Sequence, residues 1–135
     1  MKALVISADP TLRDLLRVAL RSAERRTGGT WEYLEASNGV RGIRTAWRER
    51  PDVVVADEIA SGAGAFAVAK DLRGAPEPFP GAVIIVLARG LDDWLARWSG
   101  ADAWLTRPVD PFLLSDTVVR LVEERASETA DKETA

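Results

Sequence analysis

Residues 53–56 of this chain, Val-Val-Val-Ala, are four apolar residues in a row, three of them β-branched. A run this short and unbroken reads as a strand buried on both faces, and such strands belong to parallel sheets covered by helices on either side. Pro51 cannot donate a ladder hydrogen bond, so it marks the start of the strand. Asp57 falls at the carboxyl end, ahead of a loop of small residues, Ala-Ser-Gly-Ala-Gly at 60–64. In open α/β sheets, ligands bind in the crevice beyond the carboxyl ends of the strands. A carboxylate delivered there by a buried strand is the first candidate for a functional site.

The rest of the chain repeats the pattern. Residues 3–6 form a second apolar strand, and Asp9-Pro10 supplies an N-cap with proline at the first helical position. Leu12, Leu15, Leu16, Ala19 and Ala23 then give one apolar face, with Arg13, Asp14, Arg17 and Arg21 toward water, and the helix ends before Gly28-Gly29. Residues 31–36 alternate as a half-exposed edge strand. Asn38 caps a short helix that turns Val40, Ile43 and Trp47 inward and stops at Arg50-Pro51.

Beyond the Asp57 loop, residues 65–72 make a weaker helix with Phe66 and Ala69 on its inner face, and Gly74 with three prolines (Pro76, Pro78, Pro80) an irregular link. Residues 82–87 are another buried strand. Leu91, Trp94, Leu95 and Trp98 recur at helical spacing, which places Trp94 in the core. Residues 103–105 are a brief last strand, and Asp110-Pro111 opens a helix burying Leu114, Val118, Leu121 and Val122. Strands and helices alternate five times, the pattern of a single doubly wound parallel sheet with helices on both faces. The domain spans residues 1–124; residues 125–135 read as a disordered polar tail or the start of a linker.

Composition narrows the chemistry. A formal charge of −3 gives no basic footprint for direct nucleic-acid binding. With no cysteine there is no thiolate nucleophile or zinc-thiolate site, and with no histidine there is no Ser-His-Asp triad or imidazole ligand. No nucleophile and base pair is visible, so enzyme function is not expected. No run approaches a membrane span or a signal peptide, which makes the cytoplasm the expected location. The glycines at 62, 64, 74 and 90 read as turn residues, and none belongs to a phosphate-binding fingerprint.

Four pieces, LVISADPTLR (4–13), PDVVVAD (51–57), IIVLARG (84–90) and GADAWLTRP (100–108), resemble in order and spacing the receiver domain of bacterial two-component response regulators (CheY-like). The resemblance covers residues 2–124 and implies the flavodoxin-like strand order 2-1-3-4-5, for which a receiver protein is itself a standard illustration. It implies a phosphoacceptor at Asp57. It also marks departures. The two positions that hold Mg²⁺ in receivers are Ser7 and Ala8, the hydroxyl residue after the fourth strand is Ala88, and the lysine before the last proline is Arg107.

Mg²⁺ favours one or two carboxylates with waters and phosphate in octahedral geometry. With Ser7 and Ala8 in place of acids, Asp57 and Asp9 offer weak metal binding at most, and no cofactor is expected. Asp9 reads first as a helix cap. Arg107 is either a surface charge or a guanidinium forked onto Asp57. Trp104 occupies the place of the receiver switch aromatic, with room over Ala88 for an inward indole, and Trp98 or Trp104 is partly exposed where receivers meet partners.

The expectation is an atypical receiver-like phosphorelay domain with a degenerate pocket. It acts through contacts with a histidine kinase or an effector on the face of the fourth helix, last strand and last helix, and homodimerisation is left open. The rivals are a working phosphoacceptor that uses Asp57, Asp9, waters and weakly held Mg²⁺, and a small-ligand sensor in the emptied pocket.

Overall fold

The computed structural model describes residues 1–58 and 64–134, the side chains of 130–134 aside, so of the loop expected at 60–64, residues 60–63, Gly62 included, lie outside the described residues. Each apolar run becomes a strand: β1 (Lys2–Ile6), β2 (Glu32–Ala36), β3 (Val53–Asp57), β4 (Ala82–Leu87) and β5 (Ala103–Thr106). Between and after them come α1 (Pro10–Thr27), α2 (Gly39–Glu49), α3 (Ala65–Gly74), α4 (Asp93–Ser99) and α5 (Pro111–Thr134). All strand pairs are parallel, in the order β2-β1-β3-β4-β5 expected of the flavodoxin-like fold.

Side chains alternate across a strand, and both faces of this sheet are covered. Ala82, Ile84 and Val86 of β4 join a core with Leu16 and Leu20 of α1 and Leu114 and Val118 of α5. Val83, Ile85 and Leu87 join a second core with Ala46 of α2, Val68 and Leu72 of α3, and Ala96 of α4. Double burial is why β3 and β4 contain no polar residue before their carboxyl ends. The edge strand β2 leaves Glu32 and Glu35 in solvent.

The helix starts follow their caps. Asp9 Oδ1 accepts from Thr11 N at 3.0 Å and Leu12 N at 3.4 Å, and Asp110 Oδ1 accepts from Phe112 N at 2.9 Å. The α2 cap is Asn38, whose Oδ1 accepts from Arg41 N at 2.9 Å.

Packing overturns some expected faces. On α2 the buried stripe is Gly39, Gly42 and Ala46; Ile43 and Trp47 flank it, and Val40 is exposed. Small residues let the helix lie against β1, and a Cβ on Gly42 would sit 2.3 Å from Ile6 Cδ1. On α3, Phe66 is only half-buried and Val68, Ala69 and Leu72 carry the core. On α4 the same thing happens more sharply. Ala96 and Ser99 are the buried residues, while Leu91, Trp94 and Trp98 are 80%, 64% and 59% exposed. Trp94 is therefore a surface residue.

Two further findings concern the tail and the proline-rich link. Residues 125–134, in the stretch expected to be a disordered tail or the start of a linker, continue α5 to Thr134. Glu, Arg, Ala and Lys are strong helix formers, and extending an already nucleated helix needs no new packing. The proline-rich link is pinned from within: Phe79 is fully buried edge-on to Trp47, with ring centroids 5.7 Å apart. Arg73 donates to the carbonyls of Phe79 (2.6 Å) and Gly81 (2.9 Å) and pairs with Asp102, which also pairs with Arg125 at 3.2 Å. No helix among the described residues is long and apolar enough to cross a membrane.

Candidate functional site

The carboxyl ends of β1, β3, β4 and β5 meet at one corner, because the strands are parallel and their registers bring those ends level. Leu87 stands opposite Thr106 and Val86 opposite Asp57, so Ala88 and Arg107 both fall one step past the sheet. Backbone bonds carry the ladder to that point: Ser7 N to Ala36 O at 3.0 Å, Glu58 N to Val86 O at 2.9 Å and Arg107 N to Leu87 O at 2.9 Å.

Asp57 is 1% exposed. Its Oδ2 accepts from Ser7 Oγ at 2.9 Å and from Arg107 Nη2 at 2.6 Å. Ser7 is fully buried and its hydroxyl also accepts from Asp9 N at 3.1 Å, so it ties the start of the α1 cap to Asp57. Arg13 Nη1 donates to the Ser7 carbonyl at 2.6 Å.

Of the two readings the sequence leaves for Arg107, the surface charge does not hold: the guanidinium is on Asp57. It reaches that carboxylate through Nη2 alone, while Nη1 lies 4.0 Å from Asp9 Oδ2, so the fork straddles two acids instead of gripping one. The Arg107–Pro108 peptide is cis. Ala8 is exposed and points no ligand atom anywhere; Ala88 is half-buried. Among the described residues, no group of three or more acidic residues comes together as a metal cage would require.

Sequence reasoning passed over Glu58. Its Oε2 accepts from Ala88 N at 2.6 Å, fastening the loop after β4 to the end of β3. Burial first, then the charge of Asp92 and a hydrogen bond that the protonated Glu58 carboxyl donates to it, push its carboxyl above the usual range, against the Ala88 N–H and Arg89, which oppose the shift. Adjacency to Asp57 at a strand end was the signal available.

Trp104 is half-buried against the α2–α4 core, with the Arg97 guanidinium 5.8 Å from its ring centre. Trp98 stands in solvent with Lys70 Nζ 4.5 Å over its ring.

No protein-family model matches the chain. It is 34% identical over 94 residues to an uncharacterised response regulatory protein of Mycobacterium tuberculosis, a match covering 70% of each chain. It is 34% identical over 89 residues to the protein PilH of Pseudomonas aeruginosa, covering 64% of this chain and 74% of that one. A crystal structure of a response regulator from Chloroflexus aurantiacus superposes with a TM-score of 0.79 at 21% identity, covering 90% of this chain and 97% of that one. The receiver domain of a Pseudomonas aeruginosa sensor histidine kinase, solved with a magnesium ion coordinated in its active site cleft, gives 0.76 at 18% identity, again over 90% and 97%. At those identities the structures speak for the fold, and the sequence relatives carry the family. With five parallel strands in this order and an aspartate at the carboxyl end of the third, the chain belongs to the receiver domains of two-component response regulators.

Proposed function

We propose that this receiver domain signals through protein contacts, with a pocket in which Arg107 stands where metal and phosphate chemistry would otherwise take place. The observation that carries the reading is the 2.6 Å Arg107–Asp57 contact on a carboxylate that is 1% exposed. Phosphoryl transfer relies on metal ions and cations to offset developing charge. Mg²⁺ needs hard oxygen donors in octahedral array, and the donor set does not fit it. Ser7 directs a hydroxyl proton at Asp57, Ala8 offers no side-chain oxygen, and Asp9 is spent on the α1 cap. No step is therefore assigned to the metal.

The same contact bears on the small-ligand alternative, since Ser7 and Arg107 occupy the corner that the missing acids would have emptied. For the partner we assign the α4–β5–α5 side. Leu91 in the turn just ahead of α4 and Trp94 and Trp98 on α4, with Phe112 and Leu113 at the start of α5, are large apolar residues left exposed. Aromatic residues of this kind are enriched at protein interfaces.

Incubation with a small acyl-phosphate donor and millimolar Mg²⁺, followed by intact mass measurement, is expected to leave the protein without a phosphoryl adduct. An adduct that disappears in Asp57→Asn would return the domain to the phosphoacceptor class. Against a histidine kinase or effector retained by the wild type, Asp57→Asn is expected to bind equally well. A loss of about tenfold, which is about 1.4 kcal/mol, would mean that the carboxylate or its phosphorylated form is what the partner reads.

A further inference from the structure

The chain is acidic overall, yet one concavity at its edge is strongly basic. Between α1 and α2, beside the end of β2, a hollow of about 470 Å³ is lined by Arg13, Arg41, Arg44 and Arg48 together with the hydroxyl residues Ser37 and Thr45. The one acid on its wall, Glu35, is already taken by Arg17 at 3.0 Å. Among the described residues neither Arg41 nor Arg44 forms an ion pair, and the nearest carboxylate oxygen to Arg48 is that of its sequence neighbour Glu49, at 3.9 Å.

This arrangement works against the helix that carries it. Arg41 and Arg44 are three residues apart and Arg44 and Arg48 four, spacings at which like charges face each other and destabilise. Arg41 also lies in the first turn of α2, where the backbone dipole favours an acid and where no acidic residue is present. Nothing in the packing calls for these side chains, because the buried stripe of α2 is Gly39, Gly42 and Ala46 on the other side. A bound polyanion would relieve all of these terms at once.

We infer that the α1–α2 hollow is a binding site for an oligophosphate group, of the kind a nucleoside polyphosphate or inorganic polyphosphate carries. Guanidinium groups match phosphate oxygens two at a time, which separates this site from a merely cationic surface. Three of them ranged along two turns of one helix suit a row of phosphates better than a single one. The volume falls among those of small-molecule sites, about 300–1,000 Å³. Ser37 and Thr45 can donate to phosphate oxygens that the arginines leave open. The site owes nothing to Asp57, and the inference stands or falls independently of the signalling role proposed above.

Titration calorimetry of the full chain with sodium tripolyphosphate at physiological salt tests it. The expected result is one saturable site, weakened by about tenfold or more in Arg44→Ala/Arg48→Ala. Arg25→Ala/Arg120→Ala, which removes the same charge from exposed positions on α1 and α5, is expected to leave the affinity unchanged. Arg13 is kept intact because its Nη1 holds the Ser7 carbonyl, and circular dichroism confirms that both variants fold. Adenosine should not bind, while ATP should bind at least as well as tripolyphosphate; a clear gain for ATP identifies a nucleotide as the occupant. The inference is overturned if no saturable binding is seen or if both double variants lose affinity equally. It is equally overturned if only RNA or anionic vesicles bind and tripolyphosphate does not.

Discussion

Arg107→Ala exposes the energetics of the Asp57 corner most directly. An ion pair on open surface is worth about 0–1 kcal/mol, whereas stripping one partner from a fully buried pair costs about 3–5 kcal/mol. The corner lies between these limits. The Asp57 side chain is 2% exposed, so water cannot replace the guanidinium at its Oδ2, but the Arg107 side chain is 28% exposed and keeps part of its hydration. Ser7 Oγ, 2.9 Å from the same oxygen, would continue to donate after the substitution. These considerations place the loss at about 2 kcal/mol, between the two limits. Two-state urea unfolding should record it as a lower midpoint at unchanged slope. Arg107→Lys should recover only part, since an ammonium is a point charge on a different stem. Asp57→Asn should cost less than Arg107→Ala, because the arginine it orphans can turn to solvent. The double variant should then be less unstable than the sum of the two, by about 1 kcal/mol or more of coupling. A loss in Arg107→Ala within about 0.5 kcal/mol of zero, or strict additivity in the cycle, would make the contact ornamental and remove the basis for the reading of the pocket.

Gly42→Ala should destabilise the protein despite the better helix propensity of alanine. The new Cβ would sit 2.3 Å from Ile6 Cδ1 and 2.7 Å from its Cγ1, and overpacking of about 1–3 kcal/mol outweighs the propensity gain of about 1 kcal/mol; an unfolding midpoint above wild type would refute this. Phe79→Ala should cost about 3–5 kcal/mol, while Trp94→Ala should leave stability within about 0.5 kcal/mol of wild type; the reverse order would mean that the faces of the 75–81 link and of α4 have been misassigned. Glu58 titrates above its usual range because burial and Asp92 disfavour its charge. A raised carboxyl contributes stability below its unfolded-state value that is lost as pH rises through the folded-state value. Glu58→Gln keeps an oxygen for Ala88 N and removes that charge, so its unfolding free energy relative to wild type should rise with pH across the carboxylate range, and a pH-independent difference would sink the assignment.

Much of this protein is written locally. The strands were legible because double burial leaves no polar residue in a run such as 53–56, and α1 and α5 announced themselves through Asp9-Pro10 and Asp110-Pro111, where cap and proline act on their own neighbours. The position of Asp57 at a carboxyl strand end followed from the same reasoning. What periodicity could not say was which way a stripe faces. Leu91, Trp94 and Trp98 have the spacing of a buried face, yet α4 seats itself through Ala96 and Ser99, since small side chains allow close approach, and the indoles are left outside. Val40 on α2 lost its expected place to Gly42 and Ala46 for the same reason. Phe79 stood among prolines with no pattern to mark it as core.

The site divides along the same line. Its residue types were readable, but the contact between Asp57 and Arg107 joins positions fifty residues apart in the chain, as does that between Ser7 and Asp57. Glu58 met Ala88 across thirty. Capping and strand burial act between neighbours or within one element, so the sequence determines them alone; these three contacts depend on the register of four parallel strands, which exists only once both faces of the sheet are packed.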